Sequence, residues 1–102
     1  MTQITEGNYN RILASGRDLL IAMVDPDSPK TIIAMEKMRS IDQMIGKGFI
    51  VCKVDAIAEK AVESVLCPEE LPAFYFIHNK RIHSVMTGLP DENEILSMTV
   101  VK

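Results

Sequence analysis

Three observations predict an α/β, three-layer sandwich: a central mixed sheet of four or five strands with helices on both faces. Leu19–Val24 is apolar on both alternating faces, as expected of a strand covered from two sides, and Phe49–Val54, apolar but for Lys53, reads as a second buried strand. Between them lies a helix-length segment with apolar residues at three- and four-residue spacing. A right-handed crossover then makes the pair a parallel βαβ unit. Two later runs, Ala73–Ile77 and Arg81–Met86, flank Asn79-Lys80, a hairpin signal that adds antiparallel strands to the same sheet.

The elements follow in order. Met1–Ile4 is short and β-tolerant. Glu6–Ser15 carries Tyr9, Ile12 and Leu13 at helical spacing, and Gly16 stands where a left-handed helix terminator belongs. After the Leu19–Val24 strand, Pro26 and Pro29 cannot continue a ladder. Asp27 or Ser28 is expected to cap the next helix, with Pro29 in its first turn. That helix is predicted to run to about Ile45, with Ile32, Ile33, Met35, Met38, Ile41, Met44 and Ile45 on a broad apolar face, until Gly46 and Gly48 stop it. Phe49–Val54 is the second buried strand. Ala56–Leu66 reads as a short helix with Ala61, Val62, Val65 and Leu66 on one side, closed by Cys67-Pro68. Gly88 breaks the chain after the hairpin, and Pro90-Asp91 opens a last helix containing Ile95, Leu96 and Met98.

The chain has 102 residues, 47% of them apolar, enough for a core in one unit spanning 1–102. The sequence shows no repeat, linker-like run or low-complexity stretch. Eleven basic against fourteen acidic residues give a net charge of −3, the opposite of a nucleic-acid binder. The longest unbroken apolar run, Leu19–Val24, is far short of the ~18–20 residues that span a bilayer. No secretory signal pattern is evident, and a cytoplasmic location is expected. Cys52 and Cys67 are fifteen positions apart, which makes neither a Cys-x-x-Cys pair nor half of a zinc site.

Element order and several marks at matching spacing resemble the thioredoxins and the wider thioredoxin-like fold over nearly the whole chain. Asp27-Ser-Pro-Lys30 sits where that family carries Cys-Gly-Pro-Cys. Cys52-Lys-Val-Asp55 is similar to its third strand. Leu71-Pro72-Ala73 resembles its cis-proline motif, and Gly88 the glycine after its last strand.

The departures fall on the chemistry. Dithiol exchange needs a cysteine thiolate at a helix start and a second cysteine three residues on. Asp27 and Lys30 occupy those positions, Pro26 replaces the preceding aromatic residue, and Ile21 aligns with the family's buried acid. Dithiol exchange is therefore not expected. The family's acid works beside a lysine at the place of Lys53, which here needs another partner or must reach solvent. Asp55, on the same strand face, is a candidate.

The resemblance implies a groove between the Pro26–Lys30 loop and the Leu71-Pro72 loop, where an extended partner segment pairs in β fashion without any cysteine. Against this stands the plain reading of Asp27–Lys30 as a helix cap. Cys67 lies near that groove, and a lone thiol there can react with glutathione or a peroxide. No cation flanks it, and Glu69 and Glu70 follow. Cys52 reads as inert core, and whether it can pair with Cys67 is a matter of geometry. If the turn is Asn79-Lys80, Phe76 opposes His83, and His78 and His83 share a hairpin face. Two histidines without a third ligand make a poor metal site. Met23, Met35, Met38 and Met44 read as core, and any methionine left exposed marks an interface.

The expected function is thus a redox-inactive, protein-binding module of chaperone-like or adaptor type. Pro26, Asp27, Ser28, Pro29, Lys30, Leu71 and Pro72 form its binding site, to which any exposed apolar helix surface adds, and its partner is a protein, an extended peptide or a second copy of the chain. No cofactor, metal, nucleic acid or membrane enters. The alternative is a single-cysteine thiol oxidoreductase or redox sensor acting through Cys67.

Overall fold

The computed structural model describes residues 1–101; Lys102, the last residue of the expected unit, lies outside them. Strand β1 (Thr2–Ile4) is followed by helix α1 (Tyr9–Ala14), β2 (Leu19–Val24), α2 (Lys30–Asp42) and β3 (Ile50–Asp55). Then come α3 (Lys60–Leu66), β4 (Ala73–His78), β5 (Arg81–Thr87) and α4 (Glu92–Ser97). The sheet order is β1-β3-β2-β4-β5, with β1, β3 and β2 parallel and β4 and β5 antiparallel to their neighbours. This is the mixed sheet that the apolar runs and the hairpin predict.

All six residues of β2 are buried. Alternation sends Leu19, Ile21 and Met23 to one face and Leu20, Ala22 and Val24 to the other. The first set joins Tyr9, Cys52, Val62, Leu66 and Tyr75 in a core beneath α1 and α3. The second joins Met35, Met38, Ile41, Phe74, Phe76 and Ile95 beneath α2 and α4. Lys37 Nζ donates to the Pro90 carbonyl at 2.7 Å and ties α2 to the segment entering α4. Asp91 begins that helix with a full capping box with Glu94.

Several boundaries differ from expectation, each for a local reason. The N-terminal half of the first expected helix is a turn, because the Asn8 side chain binds the Thr5 N–H and the Gln3 carbonyl. Gly16 is left-handed, at φ +76°. Helix α2 ends at Asp42, where Lys47 Nζ binds the last carbonyl at 3.0 Å, rather than at Ile45. Its apolar face is narrower than expected: Ile32, Ile33, Met44 and Ile45 are exposed, the last fully. At ~100° per residue Ile32 and Ile33 fall on opposite flanks of the Ala34–Met35–Met38–Ile41 stripe, away from the sheet. Met44, expected in the core, lies past the helix end; Met23, Met35 and Met38 are core.

Helix α3 begins at Lys60, not near Ala56, because Asp55 Oδ1 accepts the Ile57 and Ala58 N–H groups and folds a turn first. Glu6 Oε1 from outside the helix then accepts the Ala61 N–H at 3.1 Å. Only Val62 and Leu66 of this helix are buried; Ala61 and Val65 face outward. In the hairpin, Asn79 and Lys80 are both left-handed, at φ 51° and 65°, as a two-residue turn matched to strand twist requires. An irregularity between Phe76 and Ile77 sets Phe76 opposite Ser84 rather than His83. His83 still stacks edge-on against His78, at 6.2 Å between ring centres.

Cys52 is fully buried in β3, and desolvation pushes its thiol up to about 12. Both cysteines are free. A thiol reagent should therefore titrate one cysteine in the folded protein and two after denaturation; two reactive native thiols would contradict the burial. A raised folded-state value gives stability that is full below the unfolded value near 9.0 and is lost as pH rises from there through about 12. Cys52→Ala should accordingly lose less of its urea midpoint than the parent between neutral and strongly alkaline pH. Ile21→Ala should cost about 2–5 kcal/mol, because the cavity opens where both neighbouring strands hold their position. Ile45→Ala, at a fully exposed residue, should change stability by less than about 0.5 kcal/mol, read from the same denaturation curves.

Candidate functional site

The carboxyl end of β2 and the start of β4 lie side by side, because Met23 pairs with Ala73. The Asp25–Pro29 loop and the Leu71–Pro72 segment therefore leave the sheet at the same end. In open α/β sheets the crevice outside the carboxyl ends of the parallel strands is where ligands collect.

Asp25 organises the first loop. Its Oδ1 accepts the Asp27 N–H at 2.9 Å, and its carbonyl accepts the Ser28 N–H at 3.1 Å and the Thr31 hydroxyl. Asp27 does not cap the helix, because Asp25 does the bonding in this loop. Pro29 occupies the cap position, at φ −62°, and Ser28 Oγ accepts the Lys30 N–H at a long 3.3 Å. The Asp27 carboxylate is left exposed at the surface.

Pro26, Asp27, Ser28 and Pro29 form one wall of an open groove of about 440 Å³, and Ile32, Met35 and Arg39 of α2 supply the other. Ile32 is 66% exposed there. A smaller hollow of about 180 Å³ shares Pro26, Thr31 and Met35 with it and reaches Lys53, Asp55 and Gln3 on the sheet edge. Lys53 forms no ion pair among the described residues. Asp55, its expected partner, instead spends its Oδ1 on the turn after β3. Lys53 thus sits half-exposed, with its stem along the hollow.

The second loop contributes differently from expectation. The Leu71–Pro72 peptide is cis. Pro72 is buried, its carbonyl accepts the Gly88 N–H at 3.0 Å, and Leu71 packs against the α1/α3 core. Neither residue lines the groove, nor does Lys30, which is exposed on the first turn of α2. The structure therefore brings Pro26–Pro29 together with Ile32, Met35 and Arg39, while Leu71-Pro72 and Lys30 stand beside that set. Ile32 and Arg39 escaped sequence reasoning because an apolar helical stripe reads as core. Arg39, one turn beyond Met35, was the signal that one flank faces solvent.

The remaining candidates lie elsewhere. Ile21 is fully buried and pairs with Cys52 and Tyr75 on the adjacent strands, so the position that aligns with the resembled family's acid is sealed from solvent. Cys67 is exposed at the C-terminus of α3, left-handed at φ 48°, with its Sγ donating to the Ser64 carbonyl at 3.1 Å. His78 Nδ1 lies 2.9 Å from Asp18 Oδ1, and His83 Nδ1 is 2.7 Å from Ser84 Oγ. Among the described residues no three His, Cys, Asp or Glu side chains converge as metal ligands, and no helix is long and apolar enough to cross a membrane.

No protein-family model matches the chain, and no curated protein matches it. Solved structures do. A point-mutant thioredoxin from Halobacterium salinarum superposes with a TM-score of 0.83 at 12% identity, over 96% of this chain and 86% of that one. A thioredoxin from Fasciola hepatica gives 0.85 at 15% identity, over 97% of both chains. A designed protein gives 0.81 at 18% identity, over 95% of this chain and 86% of its own. Identities this low speak to architecture alone, and what they establish together with the strand order is that this chain has the thioredoxin-like fold.

Proposed function

We propose that this chain is a redox-inactive thioredoxin-like module that binds an extended segment of a protein partner. The segment lies in the groove between the Pro26–Pro29 loop and the Ile32–Arg39 face of α2. The observation that carries this reading is the groove itself: an open trough of mixed apolar and polar lining borders the loop that holds Asp27, one of the two positions where the resembled family has cysteine. An exposed carboxylate cannot attack a disulfide sulfur, but a trough with Ile32 and Met35 in its wall and the charges of Asp27 and Arg39 beside them can seat and orient a peptide. The Leu71 backbone lies outside the β4 ladder, which begins at Ala73, and this supports a role for it as a further pairing edge beside the groove. A cytoplasmic setting and a chaperone-like or adaptor role belong to the same proposal, with a second copy of the chain as the alternative occupant.

The competing reading is a thiol oxidoreductase or redox sensor working through Cys67. An exposed thiol and thioredoxins among the similar structures favour it. Against it, Cys67 sits at a helix C-terminus, donating to a carbonyl, whereas the thiolate of dithiol exchange is stabilised at a helix N-terminus.

The test is selection of a displayed peptide library on the purified protein. Selected peptides should bind Ile32→Asp at least about tenfold more weakly, ~1.4 kcal/mol, and bind Ile45→Asp unchanged. Equal binding to parent and Ile32→Asp would overturn the groove assignment. In parallel, insulin reduction should show no rate that Cys67→Ser abolishes; a Cys67-dependent rate would favour the enzyme reading. The Asp27→Cys/Lys30→Cys double variant should close an internal disulfide, detected as loss of two free thiols on oxidation. Failure to close would mean that this loop is not in the register of the family's dithiol.

A further inference from the structure

A separate hollow of about 320 Å³ opens beneath the C-terminus of α3, sharing no residue with the groove. Its walls are Leu66, Pro68, Val85 and Thr87, its one formal charge is the Glu69 carboxylate, and Cys67 and Tyr75 both line it. Tyr75 is only 1% exposed, yet its hydroxyl is buried without a hydrogen-bond partner among the described residues. A phenylalanine would fill the same space without the penalty of an unmet donor. Burial, chiefly, pushes the phenol up to about 12, so it remains an O–H donor at neutral pH. The other functional group is equally out of place: Cys67 is left-handed at φ 48° in a C-cap position where glycine is favoured. Two side chains unfavourable to the fold thus meet at one hollow, one a hydrogen-bond donor lacking an acceptor and the other a nucleophile.

The chemistry of the walls selects what can enter. The apolar part of the wall suits a short hydrocarbon chain, and the unpartnered Tyr75 O–H calls for an acceptor such as a carbonyl oxygen. Glu69 at the rim, with Glu70 next in sequence, disfavours anions, glutathione disulfide among them. We propose that this hollow is a covalent capture site for small, uncharged α,β-unsaturated carbonyl compounds, held by the Tyr75 hydroxyl and bonded by Cys67. The Cys67 thiol gives its proton to water, and its sulfur lone pair forms a C–S bond at the β-carbon. The C=C π pair shifts to the carbonyl oxygen as an enolate, which accepts the Tyr75 O–H, and the α-carbon then takes a proton from water. The net change is addition of S–H across the double bond, with no oxidant or reductant.

The probe is trans-2-hexenal, followed by intact mass and peptide mapping, with methyl methanethiosulfonate as a thiol reagent that needs no carbonyl activation. A single hexenal adduct should map to Cys67 and be absent in Cys67→Ser. Tyr75→Phe should melt higher than the parent and react about tenfold or more slowly with hexenal, as loss of a general-acid contact predicts. Its rate with the methanethiosulfonate should be unchanged. An unaltered hexenal rate in Tyr75→Phe would overturn the proposal. So would an equal fall for both reagents, which would mean lost access only, or adducts confined to histidine and lysine side chains. None of these outcomes bears on peptide binding at Ile32, so the two sites stand or fall separately.

Discussion

The burial of β2 on every side is the constraint from which the rest of the molecule follows. Its backbone is paired with β3 on one edge and β4 on the other, and its six side chains supply both cores in alternation. A one-residue slip would exchange the two sets and drive Ile21 and Met23 into the space shaped for Leu20 and Ala22. Register is therefore strongly specified, and with it the place where the chain leaves the sheet. Because Val24 is the last buried residue of the strand, Asp25 must turn outward at the sheet's carboxyl end, next to the segment preceding Ala73. The groove is a consequence of that exit and of the helix that starts five residues later.

What the groove can do is set by what the exit loop lacks. Thiol chemistry at a helix start depends on a small group of residues acting together: a nucleophile, a resolving thiol and a buried proton acceptor. With Ile21 sealed in the α1/α3 core, an acid there would have to be desolvated, and no cation lies in that core to pair with it. Asp27, freed from capping by the bonds Asp25 makes, and Ile32, turned away from the sheet, are surface groups without an internal duty.

The fold was legible in the sequence because its strongest signals are local. Continuous apolar strands, a two-residue hairpin turn and a run of helix stops each report on neighbouring residues. Helix extents and side-chain partners were less legible because they are decided elsewhere. Asp55 reads as a partner for Lys53, but the backbone two residues on has prior use of its carboxylate. Ile32, Ile33, Met44 and Ile45 read as core because periodicity cannot say how wide a stripe the sheet will cover. His83 falls on the expected face but one residue out of register, since a bulge leaves no mark in this sequence. The meeting of Cys67 with Tyr75 joins a helix end to the middle of a strand, and no spacing rule connects them.

Residues that oppose the fold are informative in a chain this small, where stability is a narrow difference between large terms. Exposed isoleucines on α2 cost the folded state little, because they lose nothing that the unfolded chain had, so their position argues for a surface in use only together with the groove beside them. Tyr75 and Cys67 are different. A buried hydroxyl without a partner and a non-glycine left-handed cap each oppose folding directly, and each has a simple replacement that would relieve it. Both fall on the same hollow, at the edge of an α1/α3 core whose other members apart from Tyr9 and Cys52 are apolar. Local rules broken together, at one place, with no compensation inside the fold, point outward to something the fold binds.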